Sequence, residues 1–278
     1  MTLRVLALHW SIDGSTGLGF LLVSLAAGAL YVHAAIIGSR RDRRHRRWPR
    51  GRTACFLSGI GVLVVELYSG VGALADSWLS VHMVEHMVLM QVVAPLLVAA
   101  APVRLALFAG DHNHRRWLAG WLHSRSLARL STPLGTVAVF SAVIIVTHVP
   151  AVYGLALTSN DVHIAEHAAY LLSSILMWVP LLGADPLPHR HGVRDRIVCV
   201  VGCTLSMLLV GAWLGMSRRA VYGHYVLAAG RAALHDQRVA AAIMLLGCLP
   251  MIAVAAFPRP RAPRLVPEIE PLPAAADS

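Results

Sequence analysis

Lysine is absent from this chain, acidic residues number only 14 of 278, and cysteine occurs four times. Charged residues make up 14% of the sequence against 57% hydrophobic, and the mean hydropathy is +0.64. So little charge excludes an ordinary soluble domain, which needs about a quarter of its residues charged to cover its surface. The four cysteines (Cys55, Cys199, Cys203 and Cys248) lie within or at the edge of apolar runs. That placement argues against a secreted disulfide framework. Cys199 and Cys203 stand one helical turn apart and could hold a soft metal, although small-residue core packing is the favoured account of them. The N-terminal stretch has neither a basic start nor a small-residue cleavage site before a polar region, so no cleavable leader is expected.

What is present is apolar length. Seven segments, at about 17–38, 53–74, 81–103, 132–150, 162–183, 197–217 and 239–257, each match the hydrocarbon thickness at the helical rise. Pro95, Pro102, Pro150 and Pro180 fall in or at the ends of these spans, where neighbouring helices can satisfy the freed backbone. The sequence therefore predicts an all-α, polytopic transmembrane bundle of about seven spans. Residues 1–257 are expected to form one membrane domain. The tail 258–278, rich in proline, alanine and acids, is expected to be disordered.

The net charge of +10 comes from arginine alone. A basic patch on a soluble fold would point to nucleic acid, but these arginines lie in blocks between apolar runs. Nineteen of the 24 fall in alternate loops and the tail, including the run from Arg40 to Arg52. By the positive-inside rule that side is cytoplasmic, so the N-terminus is expected outside and the C-terminus inside. No nucleic-acid partner is implied. The bilayer is the partner that composition demands, and the placement expected is a bacterial inner membrane. Trp10, Trp78, Trp178, Trp213 and Tyr222 fall near span ends and read as interface anchors.

With this orientation the polar groups of the spans collect on the outer side. His82, Glu85 and His86 open the third span, and His163, Glu166 and His167 open the fifth. His148 closes the fourth, and Asp236 precedes the seventh. Both triplets spell H-x-x-E-H, and residues four apart share a helix face, so each imidazole pair can grip one metal ion. Ionisable groups near hydrocarbon are costly unless they pair with each other, an ion or water. An ordered hydrogen-bond network is the structural alternative. Met83, Met87 and Met90 run beside the histidines. Such a stripe is ordinary core packing, yet thioether sulfur also suits Cu(I). His112, His114, His123, His189 and His191 lie in basic loops and are expected to be solvated or to meet headgroups. Glu66, inside the second span, could extend the network inward.

Three passages resemble the multi-spanning CtaG family, cytochrome c oxidase assembly proteins associated with caa-type oxidases. The first is Val81–Pro102, with His82-Met83 and His86 leading into Ala94-Pro95-Leu96-Leu97 and Ala101-Pro102. The second is His148-Val149-Pro150-Ala151 with Tyr153, followed by His163, Glu166-His167, Trp178, Pro180 and Gly183. The third is Asp236-Gln237 with Ala240–Met244. Glu85 stands where the family usually has glutamine, and Leu245 where it tends to have tryptophan. The resemblance implies maturation of a haem-copper oxidase, with copper handled on the outer face and oxidase subunits or a periplasmic copper donor as partners. The metal ligands would come from His82, His86, His148, His163 and His167, with Glu85, Glu166, Asp236 and Met83 in accessory positions, and no catalytic residue. The residues themselves leave three other readings open. One is an intramembrane zinc hydrolase, since H-x-x-E-H is also the inverted zincin signature. Another is a haem-binding bundle, and the third is a copper transporter.

Overall fold

The computed structural model describes residues 14–41, 47–69, 74–186 and 191–256, and every regular element among them is helical. The expected tail at 258–278 lies outside the described residues, as do His9, Trp10 and His189. In chain order the helices are α1 (Gly14–Arg41), α2 (Arg50–Tyr68), α3 (Leu79–Val88), α4 (Ala94–Ala99), α5 (Pro102–Ala109), α6 (His112–Leu122) and α7 (Arg125–Leu130). They continue with α8 (Pro133–Thr147), α9 (Pro150–Thr158), α10 (Asn160–Leu182), α11 (Val193–Met216), α12 (Gly223–Ala229), α13 (Ala233–Leu246) and α14 (Leu249–Ala256). Among the described residues, six helical stretches are long and apolar enough to cross a membrane, or seven with the bent pair α8–α9 taken as one. The protein is thus a multi-pass membrane protein.

Five crossings close into a ring. Helix α3 packs on α13, α13 on α11, α11 on α8, α8 on α10, and α10 returns to α4 at the deep end of the third crossing. One hydrophobic cluster fills the interior and draws residues from all five, including Met90, Phe140, Trp178, Met207 and Met244. Helices α1 and α2 lie outside the ring, against α5 and α4. Their outer faces expose Leu22, Val23, Leu30 and Leu57, as a lipid-facing helix must.

The third crossing is bent by its proline. Between α3 and α4 the chain runs through a π-helical turn, Leu89–Val93, just before Pro95. There the Ala94 N–H bonds to the Leu89 carbonyl, which passes over the Met90 carbonyl. The next N–H that could reach Met90 would belong to residue 95, and proline has none. Trp178 on α10 supplies the missing donor, its Nε1 lying 2.8 Å from the Met90 oxygen. Trp178 is therefore a fully buried core residue, 1% exposed, and not the interface anchor its position near a span end implied. A polar partner deep in the bundle held it there.

Two further breaks shape the ends. Ala101 adopts a left-handed conformation (φ 53°) ahead of Pro102, which separates α4 from α5, and Tyr31 donates to the Ala100 carbonyl at 2.7 Å. The fourth span, expected at 132–150, forms a helix to Thr147, and α9 continues from Pro150 at 73° to it. Val149 is extended, as the residue before a proline must be, and Pro150 starts α9 at its first turn. That turn lays α9 across the mouth of the ring. Helix α6 carries exposed Trp117 and Trp121 beside Arg115 and Arg116, the composition of an interfacial helix. His191, expected to be solvated or to meet headgroups, is buried.

Close crossings rest on glycine. A Cβ on Gly202 would lie 2.6 Å from Val137, so α11 and α8 touch backbone to side chain there. Replacing Gly202 with leucine is expected to destabilise the bundle by about 1–3 kcal/mol, read as a lower unfolding midpoint in detergent. An unchanged midpoint would show that this crossing is looser than described.

Candidate metal centre

The first two turns of α3 and of α10 lie side by side at one end of the ring, and they bring the two H-x-x-E-H motifs together. Within α3 the His82 and His86 rings are 4.4 Å apart, and within α10 His163 and His167 are 4.2 Å apart. Across the gap His82 lies 5.5 Å from His163, and His86 lies 5.4 Å from His167. The four imidazoles thus form one patch, because four residues on a helix return to the same face.

Among the described residues two groups of potential ligand atoms emerge, each gathered within 4.8 Å. One is His82, His86 and His167. The other is His82, His163 and Glu166. His82 belongs to both, and each group takes side chains from both motifs. The donors are nitrogen and carboxylate oxygen, a set that suits zinc, copper and other borderline metals.

The side chains fit a metal in another respect. Buried polar atoms normally find a hydrogen-bond partner, and one left without costs about 1–3 kcal/mol. Here His82 Nε2, both ring nitrogens of His86, His163 Nε2, His167 Nε2 and both oxygens of Glu166 are buried without a protein partner. Several donor and acceptor atoms thus lie close together without a protein partner, an arrangement that fits a cation.

The other expected site residues take different places. His148 stands outside both groups. Its Nδ1 lies 2.8 Å from the Ile144 carbonyl, while its Nε2 is buried without a partner. Tyr170 links it to the centre: the phenol sits 3.4 Å from His148 Nδ1 and also bonds Thr147, and its ring packs 4.3 Å from His86. Glu85 is buried on the next face of α3, outside both groups, and Glu66 on α2 lies within its electrostatic range. Both Glu66 oxygens are buried without a partner. Met83 is fully buried in the core cluster.

Asp236 proves to be a fastening. Its carboxyl group accepts hydrogen bonds from the hydroxyl and backbone N–H of Ser80, which ties α13 to the start of α3. Its neighbour Gln237 accepts from Val221 N–H at 2.7 Å and donates to the Leu214 carbonyl at 2.9 Å. Together they knit the connection from α11 to α13.

A wall of tyrosines surrounds the histidines. Tyr153 on α9 lies 5.4 Å from His82 and stacks on Tyr222 at 4.1 Å. Tyr222 donates to the His148 carbonyl at 3.1 Å, and Tyr225 donates to the Ala75 carbonyl at 3.2 Å. Tyr222 is 4% exposed, so it roofs the centre and is not the interface anchor expected of it. Tyr170 was within reach of sequence reasoning, since it continues the face of His163 and His167 by one turn. Tyr153 was not, because its approach depends on the bend at Pro150. His224 is exposed and bonds the Asp76 carbonyl at 2.9 Å, and His235 is exposed, so neither joins the cluster.

An all-helical, multi-pass membrane protein with a buried histidine–carboxylate patch at one end is the class that fold and site define. Within that class, the family model for cytochrome c oxidase caa3 assembly factors matches residues 29–258, and the chain belongs to this family. Uncharacterized proteins of Mycobacterium bovis and Mycobacterium tuberculosis are each 31% identical over 221 residues, covering 77% of this chain. One of Mycobacterium leprae is 29% identical over 215 residues, covering 75%. The aligned regions are 32%, 32% and 31% of those proteins, so the chain spans about a third of the length of the curated relatives it matches. No solved structure matches it.

Asp236→Ala is expected to lower thermal stability, by about 1 kcal/mol for each hydrogen bond lost, while the purified protein keeps its metal affinity. Loss of metal with unchanged stability would make Asp236 a ligand.

Proposed function

We propose that this protein is an inner-membrane assembly factor that holds copper at the histidine centre and passes it to a cytochrome c oxidase. The observation that carries the reading is the interleaving of the two motifs. His82 serves both ligand groups, and neither motif completes a group alone. Family membership supplies the oxidase as recipient.

The arginine distribution favours a periplasmic position for the centre, with the N-terminus outside and the C-terminus inside. Four imidazoles around a shared position offer alternative ligand sets. An ion can therefore shift from the His86–His167 side to the His163–Glu166 side without losing His82. Such graded sets suit exchange with a periplasmic donor and with oxidase subunits better than permanent retention. Glu166 offsets part of the ion's charge, and the tyrosine wall keeps competing water out of the inner half. Tyr170, held at its hydroxyl by Thr147 and His148, packs its ring on His86 and limits how that imidazole can turn.

A hydrolase built on H-x-x-E-H needs one self-contained histidine pair, with the glutamate free as base. Glu166 here sits among the ligand atoms, which disfavours that reading. Its donor set is nevertheless compatible with zinc, so the metal must be identified. Elemental analysis of detergent-purified protein is expected to find copper in the wild type and at least one equivalent per chain less when His82, His86, His163 and His167 are all alanine. In cells, His82→Ala or His163→Ala is expected to lower oxidase copper content and activity while the membrane level of this protein stays normal. Zinc in place of copper, or a fully active, copper-replete oxidase in both variants, would overturn the proposal.

A further inference from the structure

The core of the ring is rich in sulfur. Seven methionines and three cysteines share the central cluster, out of nine and four in the whole chain. Methionine is a common gap-filler, so composition alone proves nothing. Arrangement goes further. On α11, Cys199, Cys203 and Met207 recur every four residues, each fully buried. On α3, Met83 and Met87 share the same spacing one residue on from His82 and His86. Helix α13 packs between these two helices and is followed by Gly247 and Cys248.

The sulfurs meet across the helices. Met87 Sδ presses on Gly247, where a Cβ would come within 2.3 Å of it. The next residue, Cys248, places its Sγ 3.8 Å from Met207 Sδ. A column of sulfur thus leaves the histidine centre along α3 and crosses at Gly247 to the Cys248–Met207 pair. From there it follows α11 through Cys203 towards Cys199, near the opposite end of the bundle.

We propose that Cys248 and Met207 form a second, all-sulfur site for Cu(I) inside the membrane, reached from the histidine centre by way of Met83 and Met87. The choice of ion rests on the copper reading given above. A metal–thiolate bond is about 2.3 Å long, so a linear two-coordinate ion needs the two sulfurs to part from 3.8 Å to about 4.6 Å, a shift the flexible Met207 side chain allows. Soft sulfur ligands select the monovalent ion. Binding exchanges the Cys248 proton for Cu(I), and one proton is released to water for each ion held. Thiolate, Cu(I) and thioether then sum to zero charge, which avoids the cost of a net charge in hydrocarbon. As a packing feature alone, the Cys248 thiol merely donates to the thioether and to the Met244 carbonyl at 3.8 Å. The two roles respond differently to ions.

The test uses the full chain in detergent, equilibrated anaerobically with Cu(I) and, separately, with Ag(I), whose softness reports on sulfur. X-ray absorption is expected to show sulfur scatterers in the wild type. Met207→Leu, which conserves volume, and Cys248→Ala are each expected to remove that signal and one bound ion per chain, with at least tenfold weaker Ag(I) binding. The variant lacking His82, His86, His163 and His167 is expected to keep it. A sulfur signal absent from the wild type, or surviving in both Met207→Leu and Cys248→Ala, would overturn the proposal. Unchanged copper content in the histidine variant would instead contradict the histidine reading and leave the sulfur site standing.

Discussion

Inside hydrocarbon every polar group must find its partner within the protein, and the architecture follows from that constraint. The Met90 carbonyl shows it in miniature. A proline removes its backbone donor, a π-turn opens the helix, and Trp178 from α10 closes the gap at 2.8 Å. The same bond fixes how α10 sits against the third crossing, and therefore sets the first turns of both helices side by side. At the other extreme stands the histidine patch, where buried nitrogens and carboxylate oxygens have no protein partner at all. These atoms face one another, and the proposed copper ion would give them the partner that the protein does not.

The site is built in layers that differ in what holds them. Ser80, Asp236 and Gln237 lock the start of α3 to α13 and close the loop behind it. Tyr153 reaches His82 because α9 turns by 73° at Pro150, and Tyr222, just ahead of α12, stacks on it. His148, which ends α8 at that same bend, is thereby placed behind Tyr170 and not among the ligand groups. One proline thus decides both the roof and the fate of a histidine. Below the patch the chemistry changes from nitrogen to sulfur, with Met83 and Met87 pointing the way into the ring.

Much of this was legible in the residues. Apolar length gave the crossings, and the four-residue spacing gave the two histidine pairs, because both depend only on local helical geometry. The shared use of His82 was not legible, since it needs the lateral distance between α3 and α10. Trp178 and Tyr222 misled for a related reason. Aromatic residues near span ends usually face the interface, but here each had a buried carbonyl to satisfy, and carbonyls freed by tertiary packing leave no trace in composition. The bend at Pro150 could be suspected from the proline, yet its direction came from the packing of Tyr153 against Tyr222.

The central claim is that two separate motifs build one metal centre. Metal titration of two half-site variants tests it most directly, one lacking His82 and His86 and the other lacking His163 and His167, each followed by tight-binding stoichiometry and by nitrogen coordination. A single interleaved centre requires that either variant lose the imidazole-bound ion almost completely. Retention of half the wild-type ions in each, with two nitrogens per ion, would mean two independent sites and would contradict the account.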